Sequence, residues 1–356
     1  MKEISSVYIH IPFCKKICKY CDFAKYYYDA KLASSYFEAL EKEVRSRYQG
    51  EKIKTIYIGG GTPSSLSLEL LEKLFAIVAI FDKTFDYEFT FECNVNDITE
   101  DLLKYLKAHG VNRLSIGIES FNLKVLATLG RDYPSKGRLE LACKYFTNIS
   151  CDLIYGVNGE SLADLKKDLE ELLIFNFAHL SIYSLILEEH TLLALENYQE
   201  ISSDLDRDMY DLICATLKEA GYEHYEISNF AKPGFSSCHN LVYWNNEFYY
   251  GFGASSASYE KGKRFSNQRG LANYITDPLK RSYEEEVGQK RAMEYEMILG
   301  LRKLEGVSKK RFYQKYQKKI EDVFNVSKLE QNKDYYFIKE SDLFISNSIL
   351  CDFILD

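Results

Sequence analysis

The chain has 356 residues, 46% hydrophobic and 28% charged, with a net charge of −8. That composition suits a globular protein with a sizeable core, about two domains or one large α/β domain with an appendage. The acidic balance argues against a nucleic-acid binder relying on global charge, and no apolar run approaches the ~18 residues of a membrane span. The opening stretch, MKEISSVYIH, lacks the apolar centre of a signal peptide. With nine cysteines, an odd number, the expectation is a cytoplasmic chain with reduced thiols, in which clustered cysteines bind metal more often than they pair.

In chain order, short apolar runs rich in Ile, Val, Tyr and Phe come first: VYIHI (7–11), TIYIGGG (55–61), EFTFEC (88–93), RLSIGIES (113–120), CDLIYGV (151–157) and HLSIYSL (179–185). Such runs predict strands covered on both faces. Helical spacing falls between them, over 67–81, over 101–110 with Gly110 as a stop, and over 203–221 with Ser203 as N-cap and Gly221 as stop. Alternation of this kind predicts a parallel sheet with helices outside it, a full or partial barrel or an open sheet, with the chemistry at the carboxyl ends of the strands. From about residue 280 the character changes. Residues 282–306 and 309–324 read as helices, and YYFIK and DLFIS as small strands. The predicted division is 1–280 and a mostly helical 281–356.

The chemistry-bearing residues begin at IPFCKKICKYCDF, with Cys14, Cys18 and Cys21 in eight positions. Spacing i, i+4, i+7 would also make a buried helical stripe. Three thiols are one short of a closed structural zinc site. They also suit an iron–sulfur cubane with one iron left open. GGGTPS (59–64) lets backbone approach a ligand but lacks the spacing of a phosphate loop. Glu92, Glu119 and Asp152 stand at or within successive strands and could converge on the amine and hydroxyl donors of a ligand, or simply bond to backbone. CHNLVYWNNEFYYGFGASSASY (238–259) suits either a flat apolar ligand or an aromatic core strand with one hydrogen-bonded histidine. KKRFYQKYQKK (309–319) holds six basic residues, but Phe312, Tyr316 and Ile320 at i, i+4, i+8 predict an amphipathic helix with a solvated basic face.

Together YIHIPFCKKICKYCDF, GGGTPS, FECN, RLSIGIESF and DLIYGV resemble radical S-adenosylmethionine (SAM) proteins over about residues 5–306. The likeness is strongest to the branch that holds oxygen-independent coproporphyrinogen dehydrogenases and heme chaperones. The resemblance implies a partial parallel (β/α)6 TIM-like barrel plus a smaller C-terminal domain. It implies a 4Fe–4S cluster on Cys14, Cys18 and Cys21, its fourth iron left for SAM, and cofactor contacts from Tyr8, Tyr20, Gly60, Gly61, Thr62, Glu92, Glu119, Arg131 and Asp152. Two features point to the chaperone side: Phe23 stands where the dehydrogenases continue with a fourth cysteine, and HNLVYW (239–244) matches a signature associated with heme, making His239 a candidate heme residue. The implied partners are heme and heme-acceptor proteins at the membrane surface. The resemblance leaves a SAM-radical decarboxylase of coproporphyrinogen III as the alternative; the residues themselves leave a zinc or nucleic-acid binding module. Three positions depart from the family pattern. Glu119 replaces Gln, Asp132 and Tyr133 follow Arg131 without the usual His, and Ala257 takes a later His position.

Overall fold

The computed structural model describes residues 3–355. Its centre is a twisted sheet of nine strands among the described residues. The six predicted strands are all present: β1 (Ser6–Ile11), β2 (Ile53–Gly60), β3 (Lys83–Asn94), β4 (Arg113–Glu119), β5 (Ile149–Tyr155) and β6 (His179–Ser184). They pair in parallel in that order. Three strands that the sequence does not announce extend the sheet: β7 (Glu223–Glu226), β8 (Asn229–Ala231) and β9 (Tyr250–Phe252). β9 joins in parallel beside β1, whereas β8 runs antiparallel to β6 and β7 antiparallel to β8. The spatial order β9-β1-β2-β3-β4-β5-β6-β8-β7 leaves β9 and β7 unpaired with each other, so the sheet is a partial barrel and does not close.

Side chains alternate across a strand, and here the alternation has chemical meaning. Val7, Ile9, Ile56, Ile58, Phe89, Phe91, Leu114, Ile116, Leu153 and Ile182 lie on one face, in the main apolar core under the helices. The other face carries Ser6, Tyr8, Thr55, Tyr57, Thr90, Glu92, Arg113, Ser115, Ser150, Asp152, His179 and Ser181, which bond to one another across the concave interior. The strands are covered on both sides, as their composition requires, but the inner cover is polar.

Helices fill the outer layer. α1 (Ala30–Arg47) is capped by Asp29, α2 (Leu68–Val78) by Ser67 and α3 (Glu100–Ala108) by Thr99, each side chain accepting a backbone N–H of the first turn. α4 (Leu123–Leu129), α5 (Lys136–Tyr145) and α6 (Leu162–Ile174) follow, α6 with a full capping box from Ser161 and Asp164. α7 (Ser203–Glu219) is capped one residue earlier than predicted, because Ser202 rather than Ser203 accepts the Leu205 N–H. α8 (Cys238–Trp244) occupies part of the aromatic stretch for which a core strand was one reading.

The segment predicted as one helix from 282 divides in two. Arg281–Glu286 is a strand that pairs with Lys263–Asn267, and Lys263 Nζ lies 2.8 Å from Glu284 and 3.3 Å from Glu286. Cross-strand charge pairing outweighs the helix propensity of the Glu run. α9 (Gln289–Gly300) begins only after Gly288. α10 (Lys309–Tyr316) also stops early: Gln317 takes a left-handed conformation (φ 54°), and Ile320 reaches the core from a separate 3₁₀ turn. DLFIS is likewise a 3₁₀ turn and not a strand, whereas Tyr335–Phe337 is extended as expected.

Glu43 on α1 is fully buried and ties the outer layer to the sheet. It pairs with Arg47 and accepts from the Gly253 N–H at 2.9 Å, Asn267 Nδ2 at 2.8 Å and the Tyr274 hydroxyl at 2.7 Å. Glu43→Gln is expected to cost roughly 2–3 kcal/mol by leaving charged donors under-satisfied; urea unfolding at neutral pH checks it.

Candidate functional site

Three loops meet at the carboxyl end of the parallel strands. After β1 the chain makes a short extended piece, Phe13–Cys14, which pairs with Tyr26–Tyr27. The residues between are a loop, so the cysteines are not a helical stripe. The loop is anchored where Lys19 N–H donates to Leu129 O (3.0 Å) and where Tyr28 N–H donates to Cys14 O (3.0 Å). Cys14 is buried, and Cys18 and Cys21 are half-buried. All three line one cleft, shared with Tyr20, Phe23, Gly60, Gly61, Thr62, Glu92, Glu119, Arg131 and Asp152.

The glycine loop is fitted to this cleft. Gly60 has φ +113°, a conformation that favours glycine. A Cβ on Gly61 would stand 2.9 Å from Cys14 Sγ and 2.8 Å from Phe13 O. Thr62 N–H donates to Phe13 O at 2.8 Å, which locks the glycine loop to the cysteine loop.

On the floor, Glu92 accepts the Tyr57 hydroxyl (2.8 Å) and the Gly60 N–H (2.9 Å). Burial pushes its carboxyl up to about 7, with those hydrogen bonds opposing. Asp152 accepts from Ser115 Oγ at 3.3 Å and is raised to about 6, again by burial first. Arg131 leaves α4 just after Gly130 and donates to Glu119 Oε2 (2.6 Å) and Gly117 O (2.9 Å), with Nη1 3.4 Å from Cys18 Sγ. Burial works against its charge, but Glu119, then Tyr20 and Cys18, hold it above its usual range. Tyr20 donates to Glu119 Oε1 at 2.8 Å. Glu119 makes these contacts from a left-handed backbone (φ 60°), uncommon for a residue with a side chain. Burial raises the Cys14 thiol to about 11, the Thr62 hydrogen bond opposing.

Of the residues singled out from sequence, Cys14, Cys18, Cys21, Tyr20, Gly60, Gly61, Thr62, Glu92, Glu119, Arg131 and Asp152 line the cleft together. Tyr8 lies one layer below, its hydroxyl 2.9 Å from His10 Nδ1. His239 does not join them. It sits at the amino end of the strands, 1% exposed, with Nδ1 2.9 Å from Thr55 Oγ1 and 3.0 Å from Ser6 Oγ, and Nε2 2.7 Å from the Tyr243 hydroxyl. Both ring nitrogens are engaged. Burial, then the charge of Arg113, lowers its pKa to about 3. Sequence reasoning missed Tyr57 and Ser115, which hold the two floor carboxylates. The signal was their period-two register with Gly59 and Gly117 on the inner face.

Asp152→Asn is expected to trade binding for stability. A folded-state pKa raised above the unfolded value means the native state holds its proton more tightly. Stability from that group is therefore present near pH 4 and lost as pH rises through about 6. The cofactor-free Asn variant should exceed wild type by on the order of 1–3 kcal/mol at pH 8, with the gap closing toward pH 4. Denaturant melts at the two pH values measure this.

Comparison with known proteins gives the frame. Residues 8–172 match the radical SAM superfamily and 288–334 the HemN C-terminal domain. The heme chaperone HemW of Lactococcus lactis subsp. lactis is 38% identical, the alignment covering 100% of this chain and 99% of that protein. The chain belongs to the HemW family. HemW of Bacillus subtilis is 39% identical over 90% of this chain and 89% of its own. The fold is also that of coproporphyrinogen III oxidase (HemN) from Escherichia coli, with a TM-score of 0.87 at 21% identity, covering 99% and 90% of the two chains. As a radical SAM family, HemW carries the expectation of a 4Fe–4S cluster and SAM, and the donor set fits both. Three thiols line one cleft, and a Cβ at Gly61 would stand 2.9 Å from the sulfur of Cys14. Beneath them are carboxylate acceptors suited to amine and hydroxyl donors. Cys93 reaches the same cleft, but its side chain belongs to the apolar core on the opposite face of β3 from Glu92. Among the described residues no helix of this HemW relative is long and apolar enough to cross a membrane.

Proposed function

We propose that this chain is a cytoplasmic heme chaperone that binds a 4Fe–4S cluster, SAM and heme and passes heme to acceptor proteins at the membrane surface. Full-length likeness to curated heme chaperones carries the reading. Phe23 supports it: the side chain is 64% exposed on the cleft rim, at the position where the resembling dehydrogenases place a further cysteine. Cys14, Cys18 and Cys21 would hold the cluster, which supplies an open iron for SAM and the capacity for one-electron reduction. Glu92 and Asp152 orient SAM by accepting from its amine and hydroxyl donors. Arg131, held by Glu119 and Gly117 O, sets its positive charge beside the Cys18 sulfur. Tyr20 fixes Glu119, and Gly60, Gly61 and Thr62 let backbone meet the ligand. Residues 281–356 form a second unit in this reading, supported by the HemN C-terminal match that begins at 288.

Three basic residues of the 309–319 segment are engaged within the protein. Arg311 pairs with Glu247 at 3.0 Å, Lys315 with Glu296, and Lys309 lies 4.4 Å from the Tyr336 ring. Anaerobic heme titration of the cluster-loaded protein tests the reading. A stoichiometric spectral complex that transfers heme to an apo-acceptor is expected. No complex, together with SAM-dependent loss of coproporphyrinogen III, would instead make it a dehydrogenase.

A further inference from the structure

HNLVYW lies at the far end of the barrel from the cysteines, yet a continuous set of contacts links the two. The ring of His239 packs on the ring of Tyr57 with centroids 5.2 Å apart and 34° between planes. The Tyr57 hydroxyl, at the other end of that ring, donates to Glu92 Oε1 at 2.8 Å. The same histidine is clamped by Ser6 on β1, Thr55 on β2 and Tyr243 on α8. α8 is in turn held to β3 by Glu88, which accepts the N–H of Cys238 (3.0 Å) and of His239 (2.9 Å). β3 also carries Glu92, four residues on and on the same face.

We infer that His239 is a positioning residue for the SAM site: it sets the Tyr57 ring so that its hydroxyl holds Glu92 ready to accept from the donor groups of SAM. The inference rests on the proposed SAM site and extends it to a motif outside the cleft. A buried carboxylate with one hydroxyl donor and one backbone donor has little else to fix its rotamer, so the aim of Tyr57 decides where its free lone pairs point. The groups facing Glu92 are Tyr8 from β1, Tyr57 from β2 and Asp152 from β5. Of these only the Tyr57 hydroxyl is recorded bonding to it. Removing that donor disfavours the ionised, acceptor-only form.

The test is equilibrium binding of SAM to the anaerobically loaded, oxidised-cluster protein, from pH 5.5 to 8.5, with heme titration alongside. Tyr57→Phe, which keeps the packed ring, is expected to weaken SAM about tenfold and to move the pH midpoint of binding upward. His239→Ala is expected to reproduce both changes while iron and labile sulfide stay at wild-type content. A merely structural lesion would lower affinity without moving the midpoint. Unchanged SAM affinity and midpoint in Tyr57→Phe would overturn the inference. So would a His239→Ala protein that binds SAM normally and loses heme, which would make His239 a heme residue. Wild-type protein that takes up its cluster but binds no SAM would overturn the proposed SAM site itself, a result distinct from both.

Discussion

Cys14→Ala should leave the reconstituted protein without its cluster: iron and acid-labile sulfide fall from about four of each per chain to below one. Cys14 is the buried member of the three, and its sulfur lies so close to Gly61 that no Cβ fits there. Two thiolates hold a cubane poorly, and the nearest further thiol, Cys93, is packed in the apolar core on the other side of β3. The fold should survive, because the backbone of Cys14 is held by its pairing with Tyr27 and by the Tyr28 N–H. Circular dichroism matching wild type, with no bound sulfide, is the expected pair of results. Heme uptake measured on the same sample then tells whether the heme and cluster sites are independent.

Glu92→Ala should weaken SAM about 10²–10³-fold, the effect expected when one partner of a buried, hydrogen-bonded charged contact is truncated. It also removes a pH dependence. In wild type, Glu92 and Asp152 carry pKa values of about 7 and about 6, both raised chiefly by burial. SAM requires them as acceptors, so affinity should rise as pH climbs from 5 through 8 and each carboxyl ionises. In Glu92→Ala the upper part of that rise disappears, leaving only the step near pH 6. Isothermal titration at intervals across this range separates the two steps.

The cleft was legible in the sequence because its parts are local. Cys14, Cys18 and Cys21 lie on one loop, Gly60 to Thr62 on another, Glu92 and Glu119 at the ends of apolar runs and Asp152 within one. The outer faces of the strands supply those runs, so a parallel α/β sheet could be read from Ile9, Ile58, Phe91 and Ile116. What stayed hidden depends on contacts between distant residues. His239 meets Ser6 across 233 positions and Thr55 across 184, and no local pattern records such a contact. The aromatic stretch that includes His239 suggested a strand or a ligand face. In the folded chain its start is a helix held by the Ser237 cap and by Glu88. At 282–286 local propensity misled: a Glu-rich run favours helix, but its partners in the neighbouring strand are Lys263 and Arg264.

The central claim is that one cluster iron has no protein ligand and is met by SAM over the floor of Glu92 and Asp152. The direct measurement is electron–nuclear double resonance of the reduced, cluster-loaded protein with SAM carrying 15N at its amino group. The account predicts a resolved nitrogen coupling that appears only with SAM present and is abolished in Cys14→Ala. A cluster whose spectrum ignores SAM, or a 14N coupling from the protein at that iron that persists with SAM present, would contradict it.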